Sequence, residues 1–308
     1  MYEKSLLYKV TWYYYINNMT QEAIAKHLNI SRSRVVKLLS KAKMDGLVKF
    51  KIDHQTLDKI NLENAILEKY KLNDIFIIPS TPCNLKDSLA KGAAKYINSK
   101  VEEDAFINIG YGETVSKTVV ELVNSGQKQL SLVTLSGGVS NYTSSIISGV
   151  HKSSSVTPTP NFYVVPSPLI VSTKEIADAF LKEKEVKSIL NMSKFSNMTL
   201  IGIGAVNEEA TIFKTNIVDK NNLTILKMKG AVGDVLSQFY DKNGDLIDTV
   251  LHSKLVSVKI ENLRNSDNVI AVAGGKNKIE AIDAALKGKF INILITDEDT
   301  GKALLERD

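Results

Sequence analysis

Apolar residues recur at helical spacing from the first residues of the chain: Leu6, Leu7, Val10 and Tyr14 mark one face of a helix over Lys4 to Tyr15. Thr20 is a cap for a second helix that runs to Leu28, and Ser31 caps a third that reaches about Lys43 before Gly46 ends it. Ile24, Leu28, Ile30, Val35 and Leu38 can share one small core. Ala25 stands where two steeply crossing helices would touch, and Asn29 occupies the corner, where a left-handed backbone is often required. Small residue, corner asparagine and core spacing together specify a helix-turn-helix. The alternation from Leu47 to Ile52 predicts a short wing strand after it.

From Leu57 to Tyr70 the residues Leu57, Ile60, Ala65, Ile66 and Tyr70 predict a linker helix with one apolar face, able to pair subunits. Beyond Asn73 short apolar runs alternate with amphipathic stretches. Strands are expected at 74–78, 105–109, 130–135, 162–165, 199–203, 269–273 and 291–296. Helices are expected at 86–97, 115–123, 174–181, 278–286 and 300–306. That alternation indicates a mostly parallel, Rossmann-like α/β sheet covered on both faces. The expected organisation is a helix-turn-helix domain over 1–54, a linker helix over 55–72 and an effector domain over 73–308, with 153–160 a Ser/Thr/Pro-rich surface loop.

Charge sharpens the picture of the first segment. Residues 1–52 hold ten Lys/Arg against three Asp/Glu, whereas the remainder holds 29 against 31. A cationic head on a neutral body is the electrostatic footprint of a DNA-binding module. Arg32, Ser33, Arg34 and Lys37 lie on the N-terminal turns of the third helix, the part that enters the major groove in this motif, beside the capping Ser31. Lys41, Lys43, Lys49 and Lys51 fit phosphate contacts, and Gln21 a contact to the duplex backbone. The aromatic run Tyr8, Trp12, Tyr13, Tyr14 and Tyr15 reads as core and dimer packing.

In a parallel sheet ligands gather beyond the carboxyl ends of the strands. Four of those ends are glycine-rich: Gly110-Tyr111-Gly112-Glu113-Thr114, Ser136-Gly137-Gly138, Gly204-Ala205-Val206 and Gly274-Gly275-Lys276-Asn277-Lys278. Glycines admit a ligand close to the backbone, and free amides at a helix start favour an anion such as phosphate. Thr114 and Ser136 add hydroxyls, Lys278 adds a positive charge, and Asp234 can accept from sugar hydroxyls.

These motifs, with Met19-Thr20-Gln21, Pro166-Ser167-Pro168-Leu169, Phe239-Tyr240-Asp241 and Ala281-Ile282, resemble the SorC/DeoR-type sugar-binding transcription regulators along nearly the whole chain. The resemblance implies a large domain similar to sugar-phosphate isomerases and deaminases, a phosphorylated sugar or related metabolite as effector, and a homodimer or homotetramer. It places the Gly110 to Thr114 and Ser136 to Gly138 loops around the ligand, with Asp234 and Lys278 contacting it. The expected function is a repressor of a carbohydrate-metabolism operon, bound to operator DNA and released or remodelled by its effector.

The competing class is an enzyme of the isomerase or deaminase type. Against it stand the attached DNA module and the placement of the four histidines, His27, His54, His151 and His252, outside every glycine-rich loop. No cofactor and no metal are expected: Cys83 is the single cysteine and reads as a packing or loop residue. Without an apolar run long enough to span a bilayer or a signal-peptide core, a cytoplasmic protein with no membrane partner is expected.

Overall fold

The computed structural model describes residues 2–49, 53–81, 83–125, 128–138 and 160–307. The chain divides into two compact units, Met1–Leu57 and Asp58–Asp308.

The first unit is built from α1 (Tyr2–Tyr15), α2 (Gln21–Leu28) and α3 (Arg32–Met44), with the start of α4 (His54–Tyr70). Thr20 Oγ1 accepts from the Ala23 N–H at 3.2 Å, and Ser31 Oγ accepts from the Arg34 N–H at 3.2 Å, so both capping residues satisfy an amide left over at a helix start. Asn29 lies in the left-handed region, φ 52° and ψ 46°, and turns the chain between α2 and α3 within three residues. Leu6, Val10, Ile24, Ala25, Val35 and Leu39 form the buried core. Tyr13, Tyr14 and Tyr15 pack against that core, whereas Tyr8 and Trp12 are exposed and contribute nothing to it. Leu47–Lys49 carry no strand pairing, and Phe50, Lys51 and Ile52, the rest of the expected wing, lie outside the described residues.

The second unit continues with β1 (Asp74–Ile78), α5 (Leu85–Lys100), β2 (Ala105–Ile109), α6 (Glu113–Ser125), β3 (Leu130–Thr134) and β4 (Asn161–Tyr163). Then come α7 (Lys174–Lys182), α8 (Lys184–Met192), β5 (Met198–Ile201), β6 (Gly204–Ala205), α9 (Thr211–Lys214), α10 (Lys220–Met228), β7 (Gly233–Val235) and β8 (Gln238–Tyr240). The unit closes with α11 (Val250–Ser253), β9 (Val269–Val272), α12 (Ile279–Lys287), β10 (Ile293–Asp297) and α13 (Glu298–Leu305).

Among the described residues seven strands form one parallel sheet in the order β1-β10-β9-β5-β2-β3-β4. β3, β5, β9 and β10 are buried at every position, as strands covered on both faces must be, and this explains why they read as mostly apolar runs, broken only by the buried Ser131, Thr134, Thr199, Thr296 and Asp297. From β2 the chain steps outward through β3 to β4, and from β5 it steps the opposite way through β9 to β10. The adjacent pair β2 and β5 is therefore the point where the winding reverses, and the carboxyl ends of these strands diverge there to leave a crevice.

Sequence patterning did not reveal a second, three-stranded antiparallel sheet, β6-β7-β8, which leaves the main sheet immediately after β5. With α9 and α10 it closes a separate small core around Ile212, Phe213, Leu223, Leu226 and Phe239. Its strands are two or three residues long, too short to show alternation. The Tyr240 hydroxyl donates to the Ala281 carbonyl at 3.0 Å and ties this sheet to α12.

The C-terminal end of α4 is fixed to the same helix. The Tyr70 hydroxyl donates to Asp283 Oδ1 at 2.8 Å, and Asp283, only 1% exposed, also receives Arg307 Nε at 2.9 Å. Lys69 Nζ donates to the Leu304 carbonyl at 3.1 Å and to that of Arg307, capping the end of α13.

Candidate functional site

At the carboxyl ends of β9, β5 and β2 lies a cleft of about 320 Å³. Its walls come from the loop after β2 with the first turn of α6 (Tyr111, Gly112, Glu113, Thr114), the end of β5 running into β6 (Gly202, Ile203, Gly204) and the loop after β9 (Gly274 to Lys278). Asp234 of β7 and Ser237 complete the floor, and Asn207, Glu209 and Thr211 come from the small lobe.

Asp234 reaches the floor because β7 pairs with β6, with Asp234 opposite Gly204. A Cβ on Gly204 would fall 2.0 Å from Asp234 Oδ1, so only glycine leaves room for the carboxylate. The Ser237 N–H donates to Asp234 Oδ2 at 3.2 Å. Burial pushes the Asp234 carboxyl up to about 6, against the opposing pull of the Lys278 charge and that amide. Lys278 Nζ donates to the Ile203 carbonyl, in the link between β5 and β6, at 2.7 Å. Burial lowers the lysine from its ordinary value, and the charge of Asp234 partly restores it.

The mouth is lined by a second pair. Lys86, on the first turn of α5, meets Glu113 Oε2 at 2.5 Å. Burial opposes ionisation of Glu113, but the hydrogen bond from Lys86 and the charges of Lys86, Lys117 and Lys214 outweigh it and hold the carboxyl below its ordinary range. Burial raises the Tyr111 phenol despite a hydrogen bond with Thr215. The cleft thus sets ammonium groups, carboxylates, hydroxyls and glycine-flanked amides around a space suited to a small, polar molecule. Among the described residues no group of three or more His, Cys, Asp or Glu could hold a metal ion.

Of the residues expected around a ligand, Tyr111, Gly112, Glu113, Thr114, Asp234 and Lys278 line this cleft. Gly110 does not: its N–H extends the pairing to β5 through the Leu200 carbonyl at 2.8 Å, and a Cβ there would press on Ile201 and Leu236 at 3.1 Å. Ser136, Gly137 and Gly138 also lie outside the cleft lining. The Gly137 N–H donates to the Val256 carbonyl and the Gly138 N–H to the Ser167 carbonyl, each at 2.8 Å, and Ser136 bridges to Ser257. A Cβ on Gly137 would meet the Pro168 carbonyl oxygen at 2.2 Å. The glycines of this loop serve close backbone packing, which the same residue types signal as readily as they signal a ligand. Lys86, Asn207, Thr211 and Ser237 are cleft residues that patterning missed, because they come from an ordinary helical face and from the small lobe.

In the first unit, Arg32, Ser33, Arg34 and Lys37 are all exposed along α3, while Val35, Leu39 and Ala42 face inward. Arg34 Nη2 lies 3.6 Å from Glu3 Oε1, which holds it toward α1. Ser31 spends its hydroxyl on the cap and lies 3.0 Å from Ser33 Oγ. Gln21 lines a shallow groove with Thr20, Glu22 and Arg32, Lys49 is exposed, and Lys51 lies outside the described residues.

A helix-turn-helix and a doubly wound α/β domain with a polar cleft at its switch point define a class of two-part regulators, and comparison with known proteins identifies it. A family model described as "Putative sugar-binding domain" matches residues 54–306. "Transcriptional regulator LsrR" of Escherichia coli O139:H28 is 32% identical, over 99% of this chain and 96% of that protein. Its counterpart in Enterobacter sp. strain 638 is 31% identical, over 98% and 93%. The full-length sorbitol operon regulator SorC of Klebsiella pneumoniae superposes with a TM-score of 0.70 at 24% identity, covering 98% of each chain, a likeness of fold. The chain belongs to the SorC family of transcription regulators with a sugar-binding domain. Among the described residues no helix is long and apolar enough to cross a membrane.

The unusual carboxyl of Asp234 has a measurable consequence. Its folded value, about 6, lies above the ordinary 3.8, so the folded state holds the proton more tightly than the unfolded chain. Stability from this group is therefore least above pH 6 and grows as the pH falls through 6 toward 4. Urea unfolding without ligand is expected to show the difference between parent and Asp234→Asn moving in the parent's favour between pH 8 and 5, by about 1–2 kcal/mol. A difference independent of pH over that range would show that Asp234 is solvated as an ordinary carboxylate.

Proposed function

We propose that this protein is a cytoplasmic transcription regulator that binds operator DNA as a homodimer or homotetramer and senses a phosphorylated sugar or a related metabolite in the cleft of its α/β domain. The observation that carries the reading is the glycine-flanked cleft at the β2/β5 reversal, which both Lys278 and Asp234 line and where each feels the other's charge. Lys278 supplies charge for an anionic ligand, the first-turn amides of α6 and Thr114 supply donors, and Asp234 accepts from ligand hydroxyls. Arg32, Ser33, Lys37 and the phosphate-reaching lysines engage DNA, and Gln21 contacts the duplex backbone. The domain acts as a sensor and not as a catalyst, a role extended from relatives that are named regulators along their whole length. Its regulated genes are those of carbohydrate metabolism, which it represses under the control of its ligand.

Thermal unfolding in the presence of phosphorylated sugars and of their unphosphorylated parents tests this reading. A ligand that binds only the folded state raises the melting temperature. At least one phosphorylated compound is expected to do so in the parent, to weaken DNA binding, and to lose its effect on Lys278→Met. A panel in which no phosphorylated compound acts, or in which Lys278→Met responds like the parent, would refute the assigned cleft.

A further inference from the structure

Within the first two turns of α3 the outward face carries one exposed apolar residue, Val36; the other on this helix, Met44, stands at its last position. Val35, Leu39 and Ala42 fill the inward face, and the exposed side presents Arg32, Ser33, Lys37 and Ser40. Val36 stands among these, 41% exposed, with Arg32 and Ser33 one turn before it and Ser40 one turn after. A β-branched side chain at an exposed helical position loses rotamer freedom and is less favourable there than lysine, glutamine or alanine. Its exposure also forgoes the stabilisation that burial would bring. A surface that covers it would turn that exposure into a gain.

In the major groove the apolar feature that distinguishes one base edge from the others is the 5-methyl group of thymine. An aliphatic side chain flanked by hydroxyls and cations on the first two turns of a recognition helix matches that feature: the cations reach phosphates and guanine edges while the isopropyl group meets the methyl. Resting on the DNA-binding role proposed above, we infer that Val36 is a specificity-determining residue that reads a thymine methyl in each operator half-site.

The test uses full-length protein and duplexes enriched by it from a random-sequence pool. Each thymine of the enriched site is replaced singly by deoxyuracil, which removes the methyl and keeps every hydrogen-bonding group. One position per half-site is expected at which deoxyuracil weakens binding by about fourfold, the effect of one buried methyl. Val36→Ser should weaken the thymine duplex by a similar factor and bind the two duplexes equally. Indifference of the parent to deoxyuracil at every position overturns the inference, as does undiminished discrimination by Val36→Ser, while the DNA-binding role stands. Failure to enrich any sequence overturns both.

Discussion

Gly204→Ala is expected to lower affinity for the phosphorylated effector by two orders of magnitude or more, while operator binding without effector stays within about twofold of the parent. The new methyl would fall 2.0 Å from Asp234 Oδ1, well inside contact distance, and on the floor of the cleft the carboxylate is the group that must yield. Its displacement strips Lys278 of the opposing charge that partly restores its ammonium and removes the acceptor for ligand hydroxyls. Leaving such groups unpaired costs about 1–3 kcal/mol each, and 1.4 kcal/mol is a factor of ten. Gly202→Ala is the control. It lies at the same strand end and lines the same cleft, but its Cβ would meet only Val115 Cγ2 at 3.5 Å, an ordinary contact. A loss of tenfold or less is expected there. Calorimetric titration of both variants separates the cases, and equal affinities would show that Asp234 takes no part in holding the ligand.

The second large effect concerns DNA. Arg32→Ala combined with Lys37→Ala is expected to reduce operator affinity by about two to three orders of magnitude near physiological salt, at about 1–3 kcal/mol for each lost contact. Both side chains are exposed on α3 and neither supports the core, so the melting temperature should hardly change. Salt dependence then divides their roles. Each lost phosphate contact flattens the slope of log affinity against log salt by about 0.9, whereas a lost base contact leaves the slope and relaxes sequence preference. Arg34→Ala is expected to cost less than either, because Glu3 already engages its guanidinium. An unchanged affinity in the double variant would remove α3 from the DNA interface.

The helix-turn-helix was legible from local chemistry alone. Caps, a small residue at a crossing and an asparagine at a left-handed corner act within a few residues of one another, and Thr20, Ser31, Ala25 and Asn29 each take the conformation or burial their type implies. The parallel sheet was equally legible, since strands buried on both faces are mostly apolar along their whole length. What patterning could not decide was which glycines line the cleft. Gly110, Gly137 and Gly204 all follow apolar strands, yet Gly110 packs against Ile201, Gly137 against the Pro168 carbonyl, and Gly204 against the carboxylate of Asp234, thirty positions along the chain.

The amino-acid order by itself therefore determined the helix-turn-helix, the strands of the parallel sheet and the cationic character of the first fifty residues, because helix capping, strand burial and net charge are local or additive properties. The assembly of the cleft was a tertiary decision. Lys86, Glu113, Asp234 and Lys278 come from four separate elements, and only strand order, with its reversal between β2 and β5, and the short antiparallel β6-β7-β8 sheet carry them to one place. The acidity of Asp234 belongs to the same level, since desolvation depends on what the rest of the chain packs around a group and not on its neighbours in sequence.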